Sequence, residues 1–253
     1  MHAHQCIQKR QGNMNISQYT YFDGDVELTG YVCDGAEGGP APGVLVIHEG
    51  PGPGDHIRHR TQLLGERGYV AFALDLYGEG ELDLEDTSST VIEIMTTPGL
   101  MISRAKAGLE ALTRQPGVDI DRIAAVGFCL GGVVALEMAR HRLPVRCAVG
   151  FHPSLQRPAD SPEGPIDASV LMMIGANDPL VPKDDQIRFT ESMEAAGCDW
   201  QLHIFGGVGH SFTNKAVDAF ARPGFAYDAL ADSRSLAMLH GMLDEAFDPS
   251  RKK

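Results

Sequence analysis

Val126-Gly127-Phe128-Cys129-Leu130-Gly131-Gly132-Val133-Val134 reads as a strand that runs into a helix with a thiol at the join. Residues 122–128 are a nearly continuous apolar run, and residues 130–141 carry a helical pattern. Cys129 therefore sits on the turn between them. Gly127, Gly131 and Gly132 clear the space around it. A strand-to-helix turn this tight strains the backbone of its central residue, and side chains two positions away would collide. G-x-C-x-G is the nucleophile elbow G-x-S-x-G with sulfur in place of oxygen. At the N-terminus of the following helix, the dipole and free N–H groups favour a thiolate. The N–H of Leu130 points to where an oxyanion would form.

The same strand pattern recurs along the chain. Residues 43–48, 69–75, 145–151, 169–175 and 200–206 are apolar runs of the kind that helices cover on both faces of a parallel sheet. Residues 26–33 alternate and predict an edge strand. Helical patterns at 57–67, 100–114, 183–196 and 229–247 fall between or after these runs. The β-α alternation predicts an α/β fold with a mostly parallel, doubly wound sheet flanked by helices. Residues 79–89 and 154–167 read as loops. Residues 1–13 are polar with no apolar core, and Met14 opens a stretch that reads as a more natural start. The expectation is a disordered extension over 1–13 and a single domain over 14–253.

The chain has 253 residues, 43% of them hydrophobic, and a formal net charge of -13. That size supports a full core. The acidic balance argues against nucleic-acid partners and against anionic membrane surfaces. Five cysteines, an odd number with no C-x-x-C pair, argue against a disulfide framework and fit a reducing cytoplasm.

In open α/β sheets, chemistry gathers at the carboxyl ends of the strands. The polar residues there are His48-Glu49-Gly50, Asp75, Cys129, His152, Asn177-Asp178 and Gly209-His210. A thiol nucleophile needs a base, and the base needs a group to fix its tautomer. Asp178, within the stretch G-A-N-D-P-L-V-P, and His210, in a glycine-rich turn, follow Cys129 in the order nucleophile, acid, histidine. They predict a Cys129–His210–Asp178 triad. His56 and His59 beside Asp55 raise a metal site, but HEGPGPGDHIRH lacks the H-E-x-x-H spacing, so no metal is expected. The glycine-rich EGPGPGD does not match G-x-G-x-x-G, so no nucleotide site is expected either.

With HEGPG, DLYG, GFCLGG, GANDPLVP and GVGHSFTN in place, the chain resembles the dienelactone hydrolase family of the α/β-hydrolase superfamily from about Val26 to Phe247. The resemblance implies an α/β-hydrolase fold and an acyl-transfer chemistry with no cofactor. It also implies that Glu49 sits beside the cysteine sulfur and that Gly50 supplies a second oxyanion N–H. Tyr77, His152, Phe212 and Asn214 are the pocket candidates. The family holds its substrate carboxylate with two arginines. The matching positions here are in DLYGEG, Gly78 and Glu79, and in HSFTN, Asn214, none of them basic. Arg58 and Arg60 lie near the Glu49 loop and are the cations to consider as replacements. A site without that clamp favours a neutral ester or lactone, with aryl phosphotriesters as a promiscuous activity because a P=O oxygen can use the same oxyanion donors. The alternatives are a true dienelactone (carboxymethylenebutenolide) hydrolase, and, in other classes, a non-catalytic binding protein or a thiol redox sensor on the same fold.

Overall fold

The computed structural model describes residues 15–250; the extension expected at 1–13 lies outside the described residues. The sheet contains eight strands: β1 (Ser17–Asp23), β2 (Val26–Asp34), β3 (Ala41–Ile47), β4 (Val70–Ala73), β5 (Val118–Phe128), β6 (Cys147–Phe151), β7 (Ser169–Gly175) and β8 (Trp200–Phe205). Their order across the sheet is β1-β2-β4-β3-β5-β6-β7-β8. The strands from β3 to β8 run parallel, and only β1 and β2 are antiparallel to their neighbours. Six α-helices accompany the strands: α1 (Asp55–Gly65), α2 (Leu84–Thr96), α3 (Leu100–Thr113), α4 (Leu130–Arg140), α5 (Lys183–Ala196) and α6 (Ala229–Ala246). A 3-10 turn spans Lys215–Phe220.

Strand periodicity divides the core into two layers. On β3, Leu45 and Ile47 face the layer that receives Leu109 and Leu112 of α3, Val133 of α4 and Phe189 of α5. Val44 and Val46 face the opposite layer, with Ile57 and Leu64 of α1 and Leu239 and Leu243 of α6. β7 is buried along its whole length, as a central parallel strand must be. Every residue of α4 is buried, so the helix that starts at Cys129 is anchored on all sides. No helix among the described residues is long and apolar enough to cross a membrane.

Three expectations need correction. The 26–33 strand is not an edge, because β1 pairs with it along Ser17–Asp23. The two β1 tyrosines, Tyr19 and Tyr21, stack edge-on against Phe72 at 5.8 and 5.6 Å, which secures that outer strand. Conversely β8 is an edge. It pairs only with β7, none of its residues is fully buried, and Ile204 is 45% exposed. Finally, the segment 79–89 is not all loop, since α2 begins at Leu84.

Candidate active site

The elbow is as tight as the glycines imply. Cys129 has φ 51 and ψ -113, a conformation that L-residues avoid. Its N–H donates to the Phe151 carbonyl at 2.9 Å, and its own carbonyl accepts from Gly132 N–H at 3.0 Å. A Cβ at Gly127 would overlap the Gly131 carbonyl, and one at Gly131 would overlap the Ile47 carbonyl. The strain at Cys129 is therefore held by close backbone packing on both sides, an arrangement typical of functional turns.

His210 and Asp178 arrive from two further strand ends. Asp178 follows β7, where Gly175 leaves no room for a Cβ beneath the carbonyls of Val208 and Gly209. Its Oδ1 accepts from Leu180 N–H at 2.8 Å. Its Oδ2 accepts from His210 Nδ1–H at 2.7 Å, and both side chains are almost fully buried. His210 follows β8 and is tied at both backbone groups: its N–H donates to the Gly224 carbonyl at 2.7 Å, and its carbonyl accepts from Ala226 N–H at 3.2 Å. The Phe225 ring lies 4.8 Å from the imidazole. With Nδ1 fixed on the carboxylate, Nε2 faces the Cys129 sulfur at 3.1 Å. The predicted three residues thus meet in one hydrogen-bonded line.

Burial alone would lower the His210 pKa. The charge of a Cys129 thiolate and the hydrogen bonds from Asp178 and Cys129 outweigh it, and the imidazole is pushed up to about 10. Once the sulfur is deprotonated, the geometry therefore favours an imidazolium beside it. Among the described residues, the N–H groups of Leu130 and Gly50 carry no hydrogen bond, whereas the Gly50 carbonyl accepts from Tyr77 Oη–H at 2.8 Å. Tyr77 thereby holds the Gly50 carbonyl, and the peptide unit that carries the Gly50 N–H is held through the Glu49 carbonyl, which accepts from Gly52 N–H at 3.0 Å.

Glu49 is held by two side-chain partners. Its Oε1 accepts from His56 Nδ1–H at 2.8 Å and from Asn214 Nδ2–H at 2.7 Å, and the hydrogen-bond partner of the Cys129 sulfur is His210, not Glu49. Burial would raise the Glu49 pKa; the His56 and Asn214 hydrogen bonds outweigh it and hold the carboxyl below the ordinary carboxylate range. His56 is mostly buried, and its Nε2 accepts from Arg60 Nε–H at 3.1 Å. Arg60 in turn donates to Asp232 Oδ1 at 2.7 Å and to the Thr213 carbonyl at 2.6 Å. It is consumed by this network, and Arg58 by Asp55 at 2.6 Å, so neither stands free as a carboxylate clamp. His56 and Arg60 share a face of α1 at i and i+4, a spacing visible in the sequence. Their partners Thr213 and Asp232 are remote in the chain, and no local signal joins them.

A cavity of about 650 Å³ opens on Cys129 and Leu130, with Val91, Met95, Val133 and Leu180 among its walls. The four pocket candidates do not line it. Tyr77 and Asn214 serve the Gly50 and Glu49 loop, as described. His152 is fully buried; its Nε2 pairs with Thr213 Oγ1 at 2.8 Å and its ring lies 5.2 Å from His210. Phe212 is packed behind it, ring to ring at 5.1 Å. Burial holds His152 neutral, well below the ordinary histidine range.

Comparison with known proteins follows the same lines. The model of the dienelactone hydrolase family matches residues 28–247. A solved dienelactone hydrolase-like promiscuous phosphotriesterase from metagenomic libraries is 34% identical; it superposes with a TM-score of 0.86 over 93% of this chain and 99% of its own. A "Probable 2-oxo-3-(5-oxofuran-2-ylidene)propanoate lactonase" of Bradyrhizobium sp is 30% identical over 193 residues, 72% of this chain and 77% of that protein. An α/β hydrolase enzyme from a Medee basin deep-sea metagenome library, 21% identical, shares the fold with a TM-score of 0.66 over 93% of this chain and 99% of its own.

Proposed function

The chain belongs to the dienelactone hydrolase family, and on that premise we propose that it hydrolyses neutral carboxylic esters and lactones through a Cys129–His210–Asp178 triad. The observation that carries this reading is the buried line from Asp178 through His210 to a sulfur on a strained elbow, at 2.7 and 3.1 Å. Cys129 attacks the carbonyl carbon as a thiolate. The carbonyl oxygen, now negative, is held by the N–H groups of Leu130 and Gly50, both free to donate. Each such donor contributes roughly 10²–10³ to the rate in comparable sites. The C–O bond to the leaving alcohol breaks as the imidazolium of His210 gives that oxygen its proton. His210, neutral again and oriented by Asp178, then takes a proton from water, which attacks the thioester and releases the acid. Asp178 keeps its charge throughout.

A neutral substrate is favoured because neither Arg58 nor Arg60 replaces the absent arginine pair: both are engaged by carboxylates. The same donors suit the P=O oxygen of an aryl phosphotriester. Sulfur attack at phosphorus would expel the aryloxide, and water would then cleave the S–P bond. The phosphotriesterase relative supports this as a side activity. The test is to quench a reaction with p-nitrophenyl acetate within milliseconds and map the acetyl group by peptide mass spectrometry. An acetyl thioester on Cys129 is the expected result. Turnover with acetyl on no residue, or on another one, contradicts the proposal.

A further inference from the structure

The cavity beside Cys129 has about 650 Å³, well inside the range of roughly 300–1,000 Å³ typical of small-molecule sites. Much of the wall is apolar, with Leu130 and Val133 from α4, Val91 and Met95 from α2, and Leu180. Two charged residues also reach it, and both are engaged. Arg157 donates to the Ser161 carbonyl at 3.0 Å and lies 3.6 Å from Glu163, and Asp160 accepts from Gly99 N–H at 2.8 Å. The cavity therefore offers burial for apolar surface and no uncommitted charge.

Its position relative to the triad decides which part of a substrate enters. The leaving oxygen has to reach His210 Nε2, and His210 does not line the cavity. Cys129 and Leu130, the residues on which the attacked carbonyl is held, both do. The substituent on the far side of the carbonyl from the leaving oxygen is the acyl chain. α2 ties this space to the oxyanion loop: a Cβ at Gly50 would lie 2.9 Å from Thr87 Cγ2 and 3.6 Å from Val91 Cγ2. Ile94 anchors the helix in the core at 3% exposure.

We infer that this cavity is an acyl subsite for straight-chain apolar acyl groups, with the α2 residues Val91 and Met95 setting the chain length it accepts. The inference rests on the ester-hydrolase reading above. Burial of one methylene corresponds to about fourfold in binding. Accordingly kcat/KM should climb by up to about fourfold per methylene from p-nitrophenyl acetate to the hexanoate. Met95, half-buried on the wall, is the residue to change. Met95→Trp should cut the hexanoate kcat/KM at least tenfold while leaving acetate within about twofold, and Met95→Ala should move the preferred length upward. Met95→Phe probes the same wall if Met95→Trp has a lowered melting temperature. Acetates of butanol and hexanol should respond to neither aromatic substitution. A flat acyl series with Cys129-dependent acetate hydrolysis overturns the subsite, as does an effect of Met95→Trp on the alcohol series alone. Acetate hydrolysis that persists in Cys129→Ala fails the underlying reaction instead. Calorimetry of octanamide with Cys129→Ala reads the subsite without turnover. Binding weakened at least tenfold by Met95→Trp is expected, and no binding in either background overturns the inference.

Discussion

Replacing Cys129 with alanine should change the protonation of His210 as well as the reaction. In the wild type, the imidazole is buried, which lowers its pKa, yet the thiolate charge and the Asp178 and Cys129 hydrogen bonds bring it up to about 10. From an ordinary value of 6.5, at about 1.4 kcal/mol for each pH unit, that is a preference for imidazolium of about 5 kcal/mol. Alanine removes the largest favourable contribution, the sulfur's charge, together with its hydrogen bond. Burial remains, and with the sulfur gone Asp178 is the main group that opposes it, beside the Glu49 charge, so the pKa must fall. The linkage has a definite sign. A folded pKa above the unfolded one stabilises the protein fully below about pH 6.5, and this stabilisation is lost as pH rises through about 10. The wild type should therefore lose stability over that window by an amount of order 5 kcal/mol at most, and Cys129→Ala by less. Imidazole ¹⁵N chemical shifts followed from pH 5 to 11 measure the proton directly. An unchanged His210 titration in Cys129→Ala, or a wild-type midpoint near 6.5, would refute the electrostatic argument.

Asp178→Asn keeps the shape but removes the carboxylate that fixes the His210 tautomer; kcat/KM for p-nitrophenyl acetate should drop by about 10³–10⁴ with little change in melting temperature. Gly131→Ala drives a Cβ into the Ile47 carbonyl behind the elbow, so a clear fall in melting temperature and lost activity are expected; a stable, active variant would mean the turn has slack. Arg60→Ala leaves Asp232 without its ion-pair partner and His56 without its donor. Denaturant unfolding should show a loss of about 3 kcal/mol, and the acetate rate should fall as Glu49 loses its orienting histidine.

What the sequence revealed depended on how local the cause was. The elbow is written in adjacent residues, because steric exclusion acts over two positions: Gly127 and Gly131 announce themselves. Asp178 and His210 are each marked by their own turns, at the ends of β7 and β8, and the chain order supplies the rest. β7, spanning Ser169–Gly175, is legible because a fully buried parallel strand must be apolar throughout. β1 was missed because Ser17–Asp23 alternates polar residues with the tyrosines that reach Phe72, and burial there depends on a partner far along the chain. α2 was missed because Thr87-Ser88-Ser89-Thr90-Val91-Ile92 has weak helix propensity; tertiary packing decides it. The role of Glu49 was least legible. Its environment joins α1, the segment after His210 and the start of α6 through Arg60, whose partners lie 153 and 172 residues away. No pattern in a single sequence encodes that meeting, which ties Glu49 to His56 and Asn214.

The central claim is that the Cys129 sulfur carries the reaction. Stopped-flow release of nitrophenolate from p-nitrophenyl acetate tests it most directly, with wild type and Cys129→Ala at equal active-site concentration. The expected result is Cys129-dependent turnover, with a burst approaching one nitrophenolate per wild-type chain where deacylation is the slower step, and only background release from the variant. Equal rates from the two proteins would contradict it.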